Sequence, residues 1–132
     1  MSEPLVRYVS DAVAFFYYLL DRLPRNAELA FRRVEEGGAV LYLPTIAAAE
    51  LHYLFERKGW RRHWSRLRTE MRRHPSFRYS SFDEGILGLF EKTKAREIHD
   101  RIIVSTATNL RAEALITKDK AIRKLAEVKT IW

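Results

Sequence analysis

A chain of 132 residues, 47% of them hydrophobic, can bury one core but not two, so a single domain over residues 1–132 is expected. It contains no cysteine, which excludes disulfides, zinc–thiolate sites and thiol nucleophiles and suggests a cytoplasmic setting. The net charge of +7 is concentrated in residues 57–74, which hold eight Lys/Arg and one Glu and leave 16 bases against 16 acids elsewhere. A local basic stripe on a neutral body fits a polyanionic partner such as nucleic acid, or an acidic protein segment; it fits a solvated helix face equally well.

In chain order, Leu5 to Ser10 reads as a first strand, leading into a helix over residues 12–21. The apolar run from Ala12 to Leu20 is far shorter than the ~20 residues of a membrane span, and the N-terminus has no signal-peptide pattern, so no membrane partner is expected. Pro24 opens a second helix with Ala27, Ala30, Phe31 and Val34 at helical spacing, which Gly37 and Gly38 end. Ala39 to Leu43 is a second strand, and Pro44 starts a long helix through about Arg57. Gly59 separates it from a basic helix that Pro75 closes. A short third strand, Phe77 to Ser80, precedes a helix from Asp83 to Lys94 and another from Ile98 to Leu110. Ala114 to Thr117 is a fourth strand, a short helix follows Asp119, and Lys129 to Trp132 suggests a last strand. This alternation predicts an α/β fold with a short parallel sheet between two helical layers, its sites at the strands' C-terminal edge.

Four acids fall at that edge or on helices leaving it. Asp11 follows the first strand and Asp119 follows the fourth; each is also well placed to cap a helix. Glu50 has Ile46, Ala47, Tyr53 and Leu54 as its helical neighbours, so its carboxylate needs a cation, a proton or a water-filled cleft. Asp100 shares a stripe with Ile103, Val104 and Ala107 and raises the same question, with an ion pair to Arg101 as the structural alternative. Converging carboxylates repel one another unless a cation lies among them. Hard oxygen ligands without histidine or cysteine select Mg2+ or Mn2+, and such sites support hydrolysis of phosphodiesters. The four histidines, His52, His63, His74 and His99, show no metal-ligand pairing; His63 and His74 are expected at the surface. No glycine pattern supports a nucleotide cofactor, and no serine is placed beside a base.

The segments VSDAVAFFYYLL, AAELHYLF, HDRIIVSTATNLRAEALITKD and the closing KTIW resemble PIN-domain ribonucleases, in particular the VapC-like toxins of prokaryotic toxin–antitoxin pairs. The resemblance runs over nearly the whole chain and is most specific in residues 99–119. It implies a compact α/β/α sandwich, often a homodimer, with an acidic pocket for Mg2+ or Mn2+, an RNA substrate and an antitoxin partner. It casts Asp11, Glu50, Asp100 and Asp119 as the metal-binding catalytic acids and Thr117 as the hydroxyl that orients the attacking water. Glu97 is a possible outer ligand. The sequence departs from the pattern at Ala12 and Val13, where such proteins carry Thr or Ser and then Asn or His. Losing outer-shell hydrogen bonds of this kind costs about 10- to 100-fold in metal affinity or activity.

In the basic segment Trp60, Trp64, Leu67 and Met71 form an amphipathic stripe, which predicts packing against the body or a partner. Arg61, Arg62, Arg66, Arg68, Arg72 and Arg73 occupy the other faces and are expected to grip RNA phosphates beside the pocket, or to dock an acidic antitoxin tail. The sequence therefore reads as a metal-dependent endoribonuclease. A binding module on the same fold that has lost catalysis and a housekeeping RNA-processing nuclease are the rival readings.

Overall fold

The computed structural model describes residues 5–132. Five parallel strands form one sheet: β1 (Arg7–Ser10), β2 (Val40–Pro44), β3 (Phe77–Ser80), β4 (Ala114–Ile116) and β5 (Thr130–Ile131), in the order β3-β2-β1-β4-β5. In β1, Val9 pairs with Tyr42 on one side and Leu115 on the other. Tyr8, Val9 and Ser10 are all buried, which requires a cover on both faces of the sheet.

The chain steps outward from β1 to β2 and β3 through α1 (Ala12–Leu19), α2 (Arg25–Glu35), α3 (Thr45–Lys58) and α4 (Arg61–Arg73). It then returns past β1 to β4 and β5 through α5 (Glu84–Leu87), α6 (Ile98–Asn109) and α7 (Lys120–Arg123). Right-handed crossovers in opposite directions put the two helix groups on opposite faces, giving the expected three-layer sandwich. The contacts agree: α1, α3 and α4 pack on one another, while α6 packs on β1, β4 and α5.

Local sequence explains these elements. In α2 the buried positions are Ala27, Ala30, Phe31 and Val34, the stripe its spacing predicts. Phe15, Tyr18, Phe31 and Phe77 meet in an aromatic cluster between α1, α2 and β3. Gly59 ends α3 at φ 70°, a left-handed conformation that a side chain resists. In α4, Leu67 and Met71 are buried and Trp64 packs on the core, whereas Trp60 lies just before the helix and stacks on Phe16 at 5.9 Å.

Two expectations change. The helix foreseen over residues 83–94 is one turn, Glu84–Leu87, and the chain continues in tight turns through Lys92, with Leu89, Phe90 and Lys92 each donating to the carbonyl three residues earlier. Gly85 and Gly88 remove the propensity that a longer helix there would need. His63 and His74 are half-buried rather than at the surface: His63 packs against Phe16, Phe55 and Trp60, and His74 lies 3.3 Å from Glu70.

Candidate functional site

β1 is the strand at which the chain changes direction across the sheet, and parallel α/β folds open a crevice beyond the strand ends at such a point. Asp11 leaves β1 there and Asp119 opens α7 just after β4. Glu50 comes from the second turn of α3 and Asp100 from the first turn of α6. All four line one cavity of about 490 Å3, together with Ala12, Val13, Glu97, His99, Ile103, Lys118, Lys120 and Ile122. Acids far apart in the chain thus meet at the crevice, and they come from four different elements.

Both aspartates cap helices, as their positions predict. One Asp11 oxygen accepts the Ala14 N–H at 2.8 Å and caps α1; Asp119 accepts the Ile122 N–H at 3.0 Å and caps α7. Capping uses one oxygen of each carboxylate and leaves the second available. For Asp11 that second oxygen accepts the Thr117 hydroxyl, and Thr117 in turn accepts the Asp119 N–H at 3.0 Å. Thr117 is fully buried, so its hydroxyl ties the first and last acids together from beneath. Glu97 caps α6 by accepting the Asp100 N–H at 2.9 Å.

Electrostatics record the convergence. Burial pushes Asp11 above the usual aspartate range against its two hydrogen bonds, and the charge of Asp119 adds to the rise. Burial likewise raises Glu50; His99 opposes this, while Glu97, Asp11 and Asp100 add to it. Asp100 is pushed up to about 6, by partial burial first and then by Asp119, Glu97 and Asp11. Among the described residues no arginine neutralises any of the four. Arg101 does not pair with Asp100, and its guanidinium donates to the Phe90 carbonyl at 3.5 Å. The Glu50 side chain is 38% exposed and lies 4.0 Å from His99 Nδ1, so the structure answers its charge with an open cleft and a neighbouring imidazole.

This donor set fits a divalent cation: hard carboxylate oxygens gather without thiolate, and their own repulsion is the imbalance a cation removes. The acids do not form a closed cage. Among the described residues, the group whose ligand atoms all lie within 4.8 Å of one another is a different one, Glu35, Glu70 and His74, between α2 and α4. There the Tyr18 hydroxyl donates to Glu35 at 2.6 Å and lies 3.3 Å from Glu70, so the cluster fastens three helices together.

The basic helix is not where its charge suggested. Arg61, Arg62, Arg66, Arg68, Arg72 and Arg73 are all exposed, and none lines the acidic cavity. Arg66 and Arg73 border a separate cavity with α1 and α2, and Arg68 and Arg72 act on Tyr79 of β3. A run of charge reports a helix face but not what lies beside it. The cations at the crevice are Lys118 and Lys120, which the sequence reading passed over although Lys118 sits between Thr117 and Asp119. Lys118 donates to the Tyr17 hydroxyl at 2.8 Å. No helix among the described residues is long and apolar enough to cross a membrane.

No curated protein matches the sequence. Solved structures do match its fold. A VapBC2 chain from Rickettsia felis, solved bound to a DNA fragment from its promoter, is 15% identical with a TM-score of 0.75, covering 95% of this chain and 97% of that one. FitAcB from Neisseria gonorrhoeae is 18% identical with a TM-score of 0.68, covering 93% and 95%. VapC20 from Mycobacterium tuberculosis, described as a Sarcin-Ricin loop cleaving toxin, is 11% identical with a TM-score of 0.62, covering 92% and 98%. The PIN domain family model matches residues 8–128, nearly the full length, and on that match the chain belongs to the PIN domain family.

Proposed function

We propose that this protein is a metal-dependent endoribonuclease, the toxin of a cytoplasmic toxin–antitoxin pair, with Mg2+ or Mn2+ held by Asp11, Glu50, Asp100 and Asp119. The observation that carries the reading is the single cavity to which four elements each contribute an acid, with Asp11, Glu50 and Asp100 raised by burial first and by neighbouring acids after it. Family membership and the likeness to solved toxin–antitoxin chains support it.

Asp11, Glu50, Asp100 and Asp119 would hold a divalent cation, which would supply neutralising charge at the scissile phosphate and a more acidic water for attack on phosphorus. The chain's own groups prepare that event. Thr117 fixes the Asp11 carboxylate and the start of α7 through one hydroxyl, and the two caps hold both aspartates in place. Lys118 and Lys120 offset the cavity's negative charge toward an approaching phosphate. Asp100 takes up a proton below about pH 6, so acid competes with the cation for the same carboxylate. On this reading Thr117 positions Asp11, and its place beneath the aspartates suits that role better than contact with the water. The six α4 arginines form a second basic face, suited to the distal part of a long RNA or to an acidic antitoxin segment. A homodimer is the expected assembly.

A second reading has one observation in its favour. Ala12 and Val13 line the cavity and offer no hydrogen bond where the family pattern has polar side chains, which suits a PIN-fold binding module that no longer cleaves. Cleavage of RNA by the native chain and by Asp100→Asn, each with Mn2+ and with EDTA, separates the two. Mn2+-dependent cutting by the native chain alone is expected; equal cutting by both proteins overturns the enzyme reading.

A further inference from the structure

The acidic cavity does not end at Asp100. A groove of about 290 Å3 continues from it, sharing Glu97, Asp100 and Ile122 and lined further by Lys94, Ala95, Arg96, Ala121 and Leu125. Its floor is apolar and its rim carries two cations. The rim is tied down: Thr93 donates to Glu127, whose other oxygen accepts the Lys94 N–H at 3.1 Å, and the Ala95 N–H donates back to Thr93 at 3.2 Å. Lys94 and Arg96 thus extend from a braced segment, which lowers the entropy lost when they take hold of a ligand.

A nucleic acid crossing the crevice needs this arrangement. Its scissile phosphate lies over the carboxylates, where cations compensate it, but on the side of Glu97 and Asp100, away from Lys118, the next phosphate meets acid unless basic side chains stand there. The α4 arginines line neither the cavity nor the groove. We propose that the groove bounded by Lys94, Arg96, Ala121 and Leu125 is a nucleotide subsite, seating the unpaired RNA residue adjacent to the cut with its phosphate on Lys94 and Arg96 and its base against the apolar floor. The volume lies just below the roughly 300–1,000 Å3 of drug-sized ligand pockets, so it holds one residue rather than a duplex. Lys120 borders both the acidic cavity and a further pocket with Arg123 and Lys124.

This inference rests on the nuclease reading for its choice of ligand, and its test separates the two. In an Asp119→Asn background, which keeps a cap and holds the RNA intact, binding of a fluorescent six-nucleotide single-stranded RNA in Mn2+ is followed by anisotropy from about 50 to 200 mM salt. Lys94→Ala/Arg96→Ala should weaken binding about tenfold and make the log–log salt dependence shallower by about 0.7, the loss of one neutralised single-strand phosphate. Ala121→Trp, filling the groove from an exposed position, should weaken binding with the salt slope retained; Lys94→Arg/Arg96→Lys should bind as the parent does. Unchanged affinity and slope in the double alanine variant, with its melting temperature also unchanged, overturn the subsite. A native chain that cuts no RNA while the groove variants lose binding sinks the enzyme reading and leaves the subsite standing. Normal cutting with KM unmoved by the groove variants does the reverse.

Discussion

Thr117→Val replaces a buried hydroxyl by a methyl of nearly the same volume, so packing is kept while two hydrogen bonds go. The bond to Asp11 is charge-assisted, and such bonds contribute about 1.5–3 kcal/mol. The Asp119 N–H belongs to an exposed residue, so water replaces much of its loss. A destabilisation of about 2 kcal/mol at pH 7 follows, read from urea unfolding in EDTA. The pH dependence is the sharper test. The pKa of Asp11 is already raised by burial, so its contribution to stability is full below the unfolded-state value and declines as pH rises through the folded one. Removing the Thr117 bond raises it further, so the deficit of the variant should be large at pH 7 and close as the carboxyl protonates in acid. Thr117→Ser should restore most of the stability and of the Mn2+ affinity, whereas Thr117→Val should lower that affinity about 10- to 100-fold. A deficit independent of pH, or a serine variant as weak as the valine one, refutes the reasoning.

Further outcomes concern the other acids and the basic helix. Asp100 is raised from 3.8 to about 6, so without metal its ionisation costs stability progressively as pH climbs across that interval; Asp100→Asn should be more stable than the native chain at pH 7 by about 1 kcal/mol once solvent screening is allowed for, by thermal melting in EDTA. The same variant should lose most of the Mn2+-induced rise in melting temperature, and a rise equal to the native one argues against Asp100 as a ligand. Reversing Arg68 and Arg72 to Glu should leave that rise intact, because neither lines the cavity; a collapsed response would place α4 beside the metal. Gly59→Ala, at φ 70° with open space around it, should cost about 1 kcal/mol from backbone strain alone, seen as a lower urea midpoint.

The elements that sequence placed well are those whose pattern has one physical meaning. The α2 stripe of Ala27, Ala30, Phe31 and Val34 can be buried only by a helix, and the parallel strands follow from the β–α alternation. The segment after Asp83 misled because Ile86, Leu89 and Phe90 recur at i, i+3 and i+4 as in a helix, while Gly85 and Gly88 favour turns. At the site, the sequence named the four acids because two sit on apolar faces and two follow strands. It had no means of finding Lys94 or Arg96, which reach the crevice through a loop braced by Glu127, more than thirty positions away. The α4 arginines are a strong charge signal whose position relative to the cavity only folding decides.

The two strand-end aspartates serve two masters, since the same carboxyl group starts a helix and faces the cleft. Descendants of this chain that abandon catalysis are therefore not free to place any residue there. Asn, Ser or Thr would still begin α1 and α7, whereas Ala would forfeit about 1 kcal/mol at each end. Retired copies should accordingly carry amides and hydroxyls at these two positions, so that a silent relative keeps the outline of the site it no longer uses.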